Sequence, residues 1–404
     1  EVCYQAVYEI QPPEQAQNGT YSYIQTMKIG LIGAGRLGIC FSLLVEQAGY
    51  NILVSDIRQD YVDDLNNRVI KTNEPEVQEL LTRAQNFEAT TNNLRVIEES
   101  DIVYTLVATP SLESGDYDVS AVWQVVDDII ESGVKDKAFI VGCTTNPGDC
   151  EKFQEKLDSV GWKVYYNPEF IAQGSIIKDL RHADMVLIGG RWGATYDELH
   201  NLYHKIQVTP PKISLMSTTA AELVKLAMNC YLTTKISYAN MVGEVMVKAG
   251  LGDEITTVLG AIGDDTRVGR KYLNYGYGFG GPCLPRDNRA FAAFARKQGL
   301  DYNLGETTDL FNRQHAEFLL DQCVENNPNG FPFYFDYVTY KKGSDMLVES
   351  QQLLLCVDLL DAGYTVYIDD IEPVIDMISE NLTHQYGNRV RFGKPQEEVY
   401  KVEF

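Results

Sequence analysis

One cysteine sits in a glycine-rich loop, Gly278-Phe279-Gly280-Gly281-Pro282-Cys283-Leu284-Pro285-Arg286-Asp287. Glycines let the backbone approach a ligand closely and adopt positive φ. A thiol presented this way is a candidate nucleophile for attack on an electrophilic carbon. The same string would also suit a tight turn around a buried thiol, so the loop needs supporting chemistry. Lys225 and Asn229 stand one helical turn apart and share a face. Such a pair can stabilise a developing oxyanion, or it can be a lysine snorkelling at a helix edge beside a satisfied amide. Glu169, in Asn167-Pro168-Glu169-Phe170, follows a strand-like run, where a carboxylate can act as a general base. Taken singly, it is more often a cap or a solvated loop residue. Thr145, in Thr144-Thr145-Asn146-Pro147, reads the same way.

A second chemistry lies near the start. Gly33-Ala34-Gly35-Arg36-Leu37-Gly38 follows a strand-like segment and opens a helical one. These glycines permit a tight turn, close approach to a pyrophosphate and close helix packing. Asp56 follows at the end of the next strand, where a carboxylate accepts the ribose hydroxyls of adenosine and favours NAD. Arg58, two residues on, is placed to meet a 2′-phosphate, which leaves NADP open.

These residues need elements to hold them. Apolar runs at 28–33, 50–55, 101–107, 138–141, 164–166 and 185–188 read as strands, with helices between, the first at 36–48. That alternation predicts an α/β fold with a Rossmann-type, doubly wound parallel sheet over 27–208. From 219 to 249 apolar residues recur at helical spacing, among them Leu223, Leu226, Ala227, Cys230 and Tyr231. That makes about 45 Å of helix, a spine for a central helical domain over 209–326. Apolar residues on several of its faces predict packing against a second copy, hence a homodimer. Further helices are expected at 287–297 and 307–324. After Asn326-Asn327-Pro328-Asn329-Gly330, a strand at 333–339, a helix at 344–362 and a strand at 364–368 predict a smaller α/β domain over 327–404. Residues 1–26 are polar and read as an extension before Met27.

Composition narrows the partners. The net charge of −23 over 404 residues argues against a nucleic-acid binder. No run reaches transmembrane length, and residues 1–26 lack the pattern of a signal peptide. Eight scattered cysteines without a C-x-x-C pair read as reduced thiols, hence a cytoplasmic setting. The sequons at Asn18 and Asn381 are read as chance matches. His200 and His204 lack the companions of a zinc site, so no metal is expected.

In order, these motifs resemble the UDP-glucose/GDP-mannose dehydrogenase family: the fingerprint, Val107-Ala108-Thr109-Pro110, Thr144-Thr145-Asn146-Pro147, Asn167-Pro168-Glu169-Phe170, Glu222-x-x-Lys225-x-x-x-Asn229 and the cysteine loop. The likeness runs from about Met27 to about Ile378, and the loop reads more like the UDP-glucose branch than the N-acetylhexosamine branch. The resemblance implies an NAD-dependent, four-electron oxidation of a sugar-nucleotide C6 alcohol, with Cys283 carrying a thiohemiacetal and then a thioester. It implies Lys225 and Asn229 as oxyanion donors, Asp287 with Thr145 as the group ordering water, and Glu169 assisting thioester hydrolysis. It further implies Phe170, Phe279, Gly280, Tyr272 and Lys341 around the nucleotide sugar, Arg267 reaching a neighbouring subunit's site, and Thr109 and Thr145 near the cofactor. A depressed pKa is expected for Cys283.

Three departures accompany the likeness. Gln173 stands where many members carry a second glutamate, Pro282 replaces a common serine, and Val348 takes the place of a usual arginine. The domain that ends at Phe404 also reads as short for the family. The competing expectations are therefore a GDP-mannose or other hexose-nucleotide dehydrogenase, and a decayed member that only binds nucleotides.

Overall fold

The computed structural model describes residues 27–171 and 174–404. Gln173, Cys3 and the Asn18 sequon fall outside the described residues. An eight-stranded sheet fills the N-terminal half. Its strands are β1 (Lys28–Ile32), β2 (Asn51–Ser55), β3 (Phe87–Thr90), β4 (Ile102–Thr105), β5 (Ala138–Val141), β6 (Lys163–Tyr166), β7 (Val186–Gly189) and β8 (Ile213–Met216), in the order β3-β2-β1-β4-β5-β6-β7-β8. Every pairing is parallel except β6 with β7, which meet antiparallel at Tyr166 and Gly189. Residues 102–105, 138–141 and 186–189 are buried throughout. That is the behaviour of strands covered on both faces, and it explains why they read as continuous apolar runs. Helices flank the sheet over two apolar layers, one around Phe41, Leu44 and Tyr203 and the other around Val126, Phe153 and Trp162.

The chain reverses direction across the sheet between β1 and β4. Such a switch point opens a crevice at the carboxyl ends of the strands, where nucleotides bind. The expected strands recur with slightly different ends. β3 and β8 were not foreseen, being short and little patterned. β8 lies beyond residue 208 and still belongs to this sheet.

The spine is a 31-residue helix, Thr218–Lys248, whose first turn is capped by the Ser217 hydroxyl accepting from the Ala220 N–H. It packs against the helices Leu284–Lys297 and Leu304–Glu325. Its buried face is unusually polar. Glu222, Asn229, Thr233 and Asn240 are at most 8% exposed, and each finds a partner on another element. The opposite face carries Tyr231, Tyr238, Met241 and Val245, all exposed.

A four-stranded parallel sheet closes the fold, with β9 (Phe333–Phe335), β10 (Val366–Ile368), β11 (Val390–Phe392) and β12 (Tyr400–Lys401) in the order β11-β10-β9-β12. Helices Gln351–Asp361 and Glu372–Tyr386 complete the unit. Leu319 and Cys323 of the helix Leu304–Glu325 enter its core, which ties it to the central helices. The strand expected over 333–339 stops at Phe335, and the helix expected from 344 begins at Gln351. Residues 340–350 instead form a loop, held by Tyr340 N–H to the Met346 carbonyl (3.1 Å) and Ser344 N–H to the Lys341 carbonyl (3.1 Å). Ser350 then caps the helix by accepting from Leu353 N–H.

Candidate active site

The dinucleotide crevice is built by backbone geometry. Gly33 has φ +100°, and a Cβ there would lie 2.7 Å from the Leu106 carbonyl oxygen. A Cβ on Gly38 would lie 2.2 Å from the Gly33 carbonyl oxygen, so the helix seats against β1 only without one. Gly35 caps the helix Arg36–Gln47 without a side chain, and open space surrounds the position of its missing Cβ. The first N–H groups of that helix face a site suited to an anion. This cradle fits the pyrophosphate of NAD. Leu37 packs against the core beneath. At the end of β2, the Asp56 carboxylate accepts from Arg58 N–H (3.1 Å), Nε (2.9 Å) and Nη2 (3.2 Å). The Arg58 guanidinium lies 4.1 Å from the centre of the Tyr61 ring. Arg36 turns across the crevice to Asp345 in the loop of the C-terminal unit.

The reactive groups gather where the long helix meets the cysteine loop. Cys283 occupies the position before the helix Leu284–Lys297, makes no side-chain capping bond there, and is exposed as a residue. Its sulfur is nonetheless partly desolvated by the surrounding loop and helix. That desolvation pushes its pKa up, Lys225 pulls it down, and Asp287 pushes it up again. The expected depression is therefore corrected, because burial outweighs the lysine.

Lys225 Nζ donates to the Glu169 backbone carbonyl (2.8 Å) and stands 4.6 Å from the centre of the Phe170 ring. Asn229 Nδ2 donates to Asp287 Oδ2 (2.5 Å), and the Tyr117 hydroxyl donates to Asp287 Oδ1. The Glu169 carboxyl accepts from the Tyr203 hydroxyl (2.5 Å). Its surroundings push its pKa up to about 7: burial raises it, while Tyr203 and Lys225 pull it down. A carboxyl poised near neutrality can take or give a proton at working pH.

Thr145 does not join this cluster. Its side chain is fully buried and its hydroxyl donates to Glu222 Oε1 (2.7 Å), not to Asp287. Glu222 also accepts from Gly148 N–H (2.7 Å) and Cys150 N–H (2.9 Å). The pair thus anchors the loop after β5 to the long helix.

The glycine loop is pinned by hydrogen bonds to its backbone. The Asn312 side chain accepts from Phe279 N–H (2.8 Å) and donates to the Phe279 carbonyl (2.9 Å). The Phe279 ring is 2% exposed. It therefore supports the loop from beneath. A Cβ on Gly280 would strike the Glu349 carbonyl oxygen at 2.4 Å. Thr109 is buried, and its carbonyl accepts from Arg286 Nη2, while Arg286 Nε donates to Ser111 Oγ (2.9 Å).

Three expected substrate contacts are exposed side chains. Arg267 is 87% exposed along its side chain and pairs with Asp265. Tyr272 is 47% exposed with φ +62°. Lys341 is exposed on the C-terminal unit. A cavity of 420 Å³ lined by Glu151, Glu155, Asp158, Lys163 and Arg191 is bounded by none of the cluster residues. Sequence reasoning missed Tyr117, Tyr203 and Asp345, whose partners are far away in the chain and leave no local pattern.

The model of the NAD binding domain of the UDP-glucose/GDP-mannose dehydrogenase family matches residues 27–207, and that of its central domain matches residues 219–314. A UDP-glucose 6-dehydrogenase of Rickettsia bellii is 27% identical over 356 residues, 86% of this chain and 81% of that protein. A UDP-glucose dehydrogenase structure from Pyrobaculum islandicum superposes with a TM-score of 0.81 at 24% identity, covering 93% of this chain and 88% of the other. A GDP-mannose dehydrogenase structure from Pseudomonas aeruginosa gives a TM-score of 0.55 at 23% identity, covering 91% of this chain and 88% of the other.

Proposed function

From its membership of the UDP-glucose/GDP-mannose dehydrogenase family, which makes this chain an NAD-dependent oxidoreductase of nucleotide sugars, we propose that it oxidises the C6 alcohol of UDP-glucose to a carboxylate through a covalent adduct on Cys283. The observation that carries this reading is Cys283 at a helix start, one turn before Asp287, whose carboxylate accepts from Asn229 on the long helix, one turn beyond Lys225.

NAD supplies the hydride acceptor for each of two oxidations. The chain's residues do the rest. The Cys283 sulfur adds to the C6 aldehyde, forming a C–S bond and an alkoxide that takes a proton to give the thiohemiacetal. Loss of the second hydride and of the hydroxyl proton leaves a thioester. Water adds to that carbonyl, the C–S bond breaks, and the thiol is regenerated with the carboxylate. Across the whole reaction two hydrides and three protons leave. Lys225 and the free N–H of the Asn229 amide stabilise the oxyanion at C6 in each step. Glu169, with its carboxyl near neutrality, removes the proton from the attacking water. Holding the aldehyde on sulfur keeps the second reacting carbon in position.

The exposed stripe Tyr231, Tyr238, Met241 and Val245 runs at heptad-like spacing of seven, three and four residues, the geometry of a helix–helix seam. We assign it to a homodimer, in which Arg267 and Tyr272 reach the partner's nucleotide sugar. The seven described thiols are all free, in keeping with a cytoplasmic setting. Among the described residues, no helix is long and apolar enough to cross a membrane.

The test is the NADH formed per UDP-glucose consumed, for wild type and Cys283→Ser. Two NADH in the wild type, with turnover blocked in the variant, support the proposal. NADH from GDP-mannose alone would replace the substrate, and no NADH from any hexose nucleotide would overturn the reading.

A further inference from the structure

Asp287 is 2% exposed, and both its oxygens are engaged: Asn229 Nδ2 donates to Oδ2 at 2.5 Å and the Tyr117 hydroxyl donates to Oδ1. Tyr117 is itself held from behind. The Asn146 carboxamide accepts from Tyr117 N–H (2.8 Å) and donates to the Tyr117 carbonyl (2.9 Å). Asn146 is in turn fixed by Asp149, whose Oδ2 accepts from the Asn146 N–H (3.0 Å) and from Nδ2 (2.8 Å). The Tyr117 ring packs against Leu226 and Ala290, and the Arg286 guanidinium lies 4.9 Å from its centre. An unbroken chain of contacts thus runs from the loop after β5, through Tyr117, to the amide on the long helix.

We propose that Tyr117 is a positioning residue for the oxidation: it fixes the Asp287 carboxylate, which in turn fixes the Asn229 amide. This rests on the catalytic reading above. Only the nitrogen of a carboxamide can donate to a carboxylate, so Asp287 decides which way the Asn229 amide faces. One of its two N–H bonds is spent on Asp287, and the other remains for the oxyanion. Asp287 can hold this orientation only if its own torsion is fixed, and the second oxygen, on Tyr117, provides that fixing. The anchor of Tyr117 lies in the dinucleotide-binding half, whereas Asp287 and Asn229 lie in the central helices. The tyrosine therefore sets the oxyanion donor relative to the half of the molecule that holds NAD. Small losses of such alignment cost rate more than binding.

The experiment is Tyr117→Phe in the full-length enzyme, which keeps the ring against Leu226, Ala290 and Arg286 and removes only the hydroxyl. The expected result is a kcat lowered by about ten-fold or more, with KM for NAD and for the nucleotide sugar within about two-fold of wild type. Single-turnover NADH formation is then compared in an Asp287→Asn background. There the tyrosine substitution should cost less than about two-fold, because its effect passes through the carboxylate. An unchanged kcat in a folded Tyr117→Phe enzyme would overturn the proposal. So would a loss of the same size in both backgrounds, or a kcat loss tracking loss of thermal stability, since each would assign the tyrosine to packing. These outcomes are read against active wild type, so a failure of the substrate assignment shows itself separately in the wild-type control.

Discussion

Arg36, the charged residue of the dinucleotide fingerprint, holds Asp345 of the C-terminal unit through both terminal guanidinium nitrogens, at 2.8 and 3.1 Å. Asn73 joins the same carboxylate at 3.2 Å. The fork-to-carboxylate geometry gives direction as well as attraction. The dinucleotide fingerprint is thereby tied to the C-terminal unit across 309 residues of sequence.

Asp345→Ala should therefore raise KM for NAD several-fold while leaving the fold intact. The pair is partly exposed, so its contribution is modest, about 1 kcal/mol or less, and salt screens it. Steady-state kinetics at low and high salt check this: KM should climb with salt in the wild type and be nearly flat in the variant. The Arg36 hydrogen bond lowers the Asp345 pKa. Its stabilisation is thus complete above the ordinary carboxylate range near pH 4 and is lost only as the pH falls through the lower folded value. KM for NAD should show no loss of the clasp down to about pH 5.

Alkylation of Cys283 should be slow at pH 7 in the enzyme without ligands. Burial holds the thiol pKa above its ordinary value, and only the thiolate reacts. The rate of inactivation by iodoacetamide should rise continuously with pH past 8. Lys225→Ala, which removes the larger of the two cationic pulls on that pKa, the other being Arg286, should move the rise further alkaline. A fast, pH-independent reaction at pH 6 would contradict this.

Thioester hydrolysis should follow a carboxyl titrating at about 7. Glu169 acts as a base when ionised, so the rate rises as the pH passes upward through that value. Tyr203→Phe removes the hydroxyl that favours the ionised form and should shift the limb to higher pH. Single-turnover measurement of the second half-reaction from pH 5.5 to 9 reads the shift directly.

Two glycines of the fingerprint should fail differently. Gly38→Ala puts a methyl 2.2 Å from the Gly33 carbonyl oxygen, a backbone atom with little freedom to move. It should lower the thermal midpoint and cost about 1–3 kcal/mol or more. Gly35→Ala meets open space and should leave the midpoint unchanged while weakening NAD. Thermal melts with and without NAD separate the two.

How much of this was legible depended on how local the signal was. The fingerprint packs its meaning into six consecutive residues, and the buried strands announced themselves by apolar runs, so the dinucleotide half was readable. The long helix was readable as a helix but not in its orientation. Tyr231, counted among its apolar positions, is 59% exposed, whereas Glu222 and Thr233 are fully buried. Each buried polar group is satisfied by an element elsewhere in the chain, and no periodicity reveals such partners. The Tyr117–Asp287 contact spans 170 residues, which hides it for the same reason. For Cys283, the neighbours could be named from sequence while the desolvation could not, and the desolvation decides the sign.

The buried polar face of the long helix acts as a ruler. Glu222 meets the loop after β5, Lys225 the Glu169 carbonyl, Asn229 and Thr233 successive residues of the helix Leu284–Lys297, and Asn240 the Gly276 N–H, at intervals set by the 1.5 Å rise per residue. Spacing between the loop after β5 and the oxyanion donors is therefore a residue count. A single residue inserted between Glu222 and Asn229 would turn everything beyond it by about 100°. Asn229 would then leave Asp287, and every later contact would leave with it. Length along this segment is consequently under tighter constraint than composition, so homologous enzymes built on the same helix should vary in its side chains and keep its number of residues.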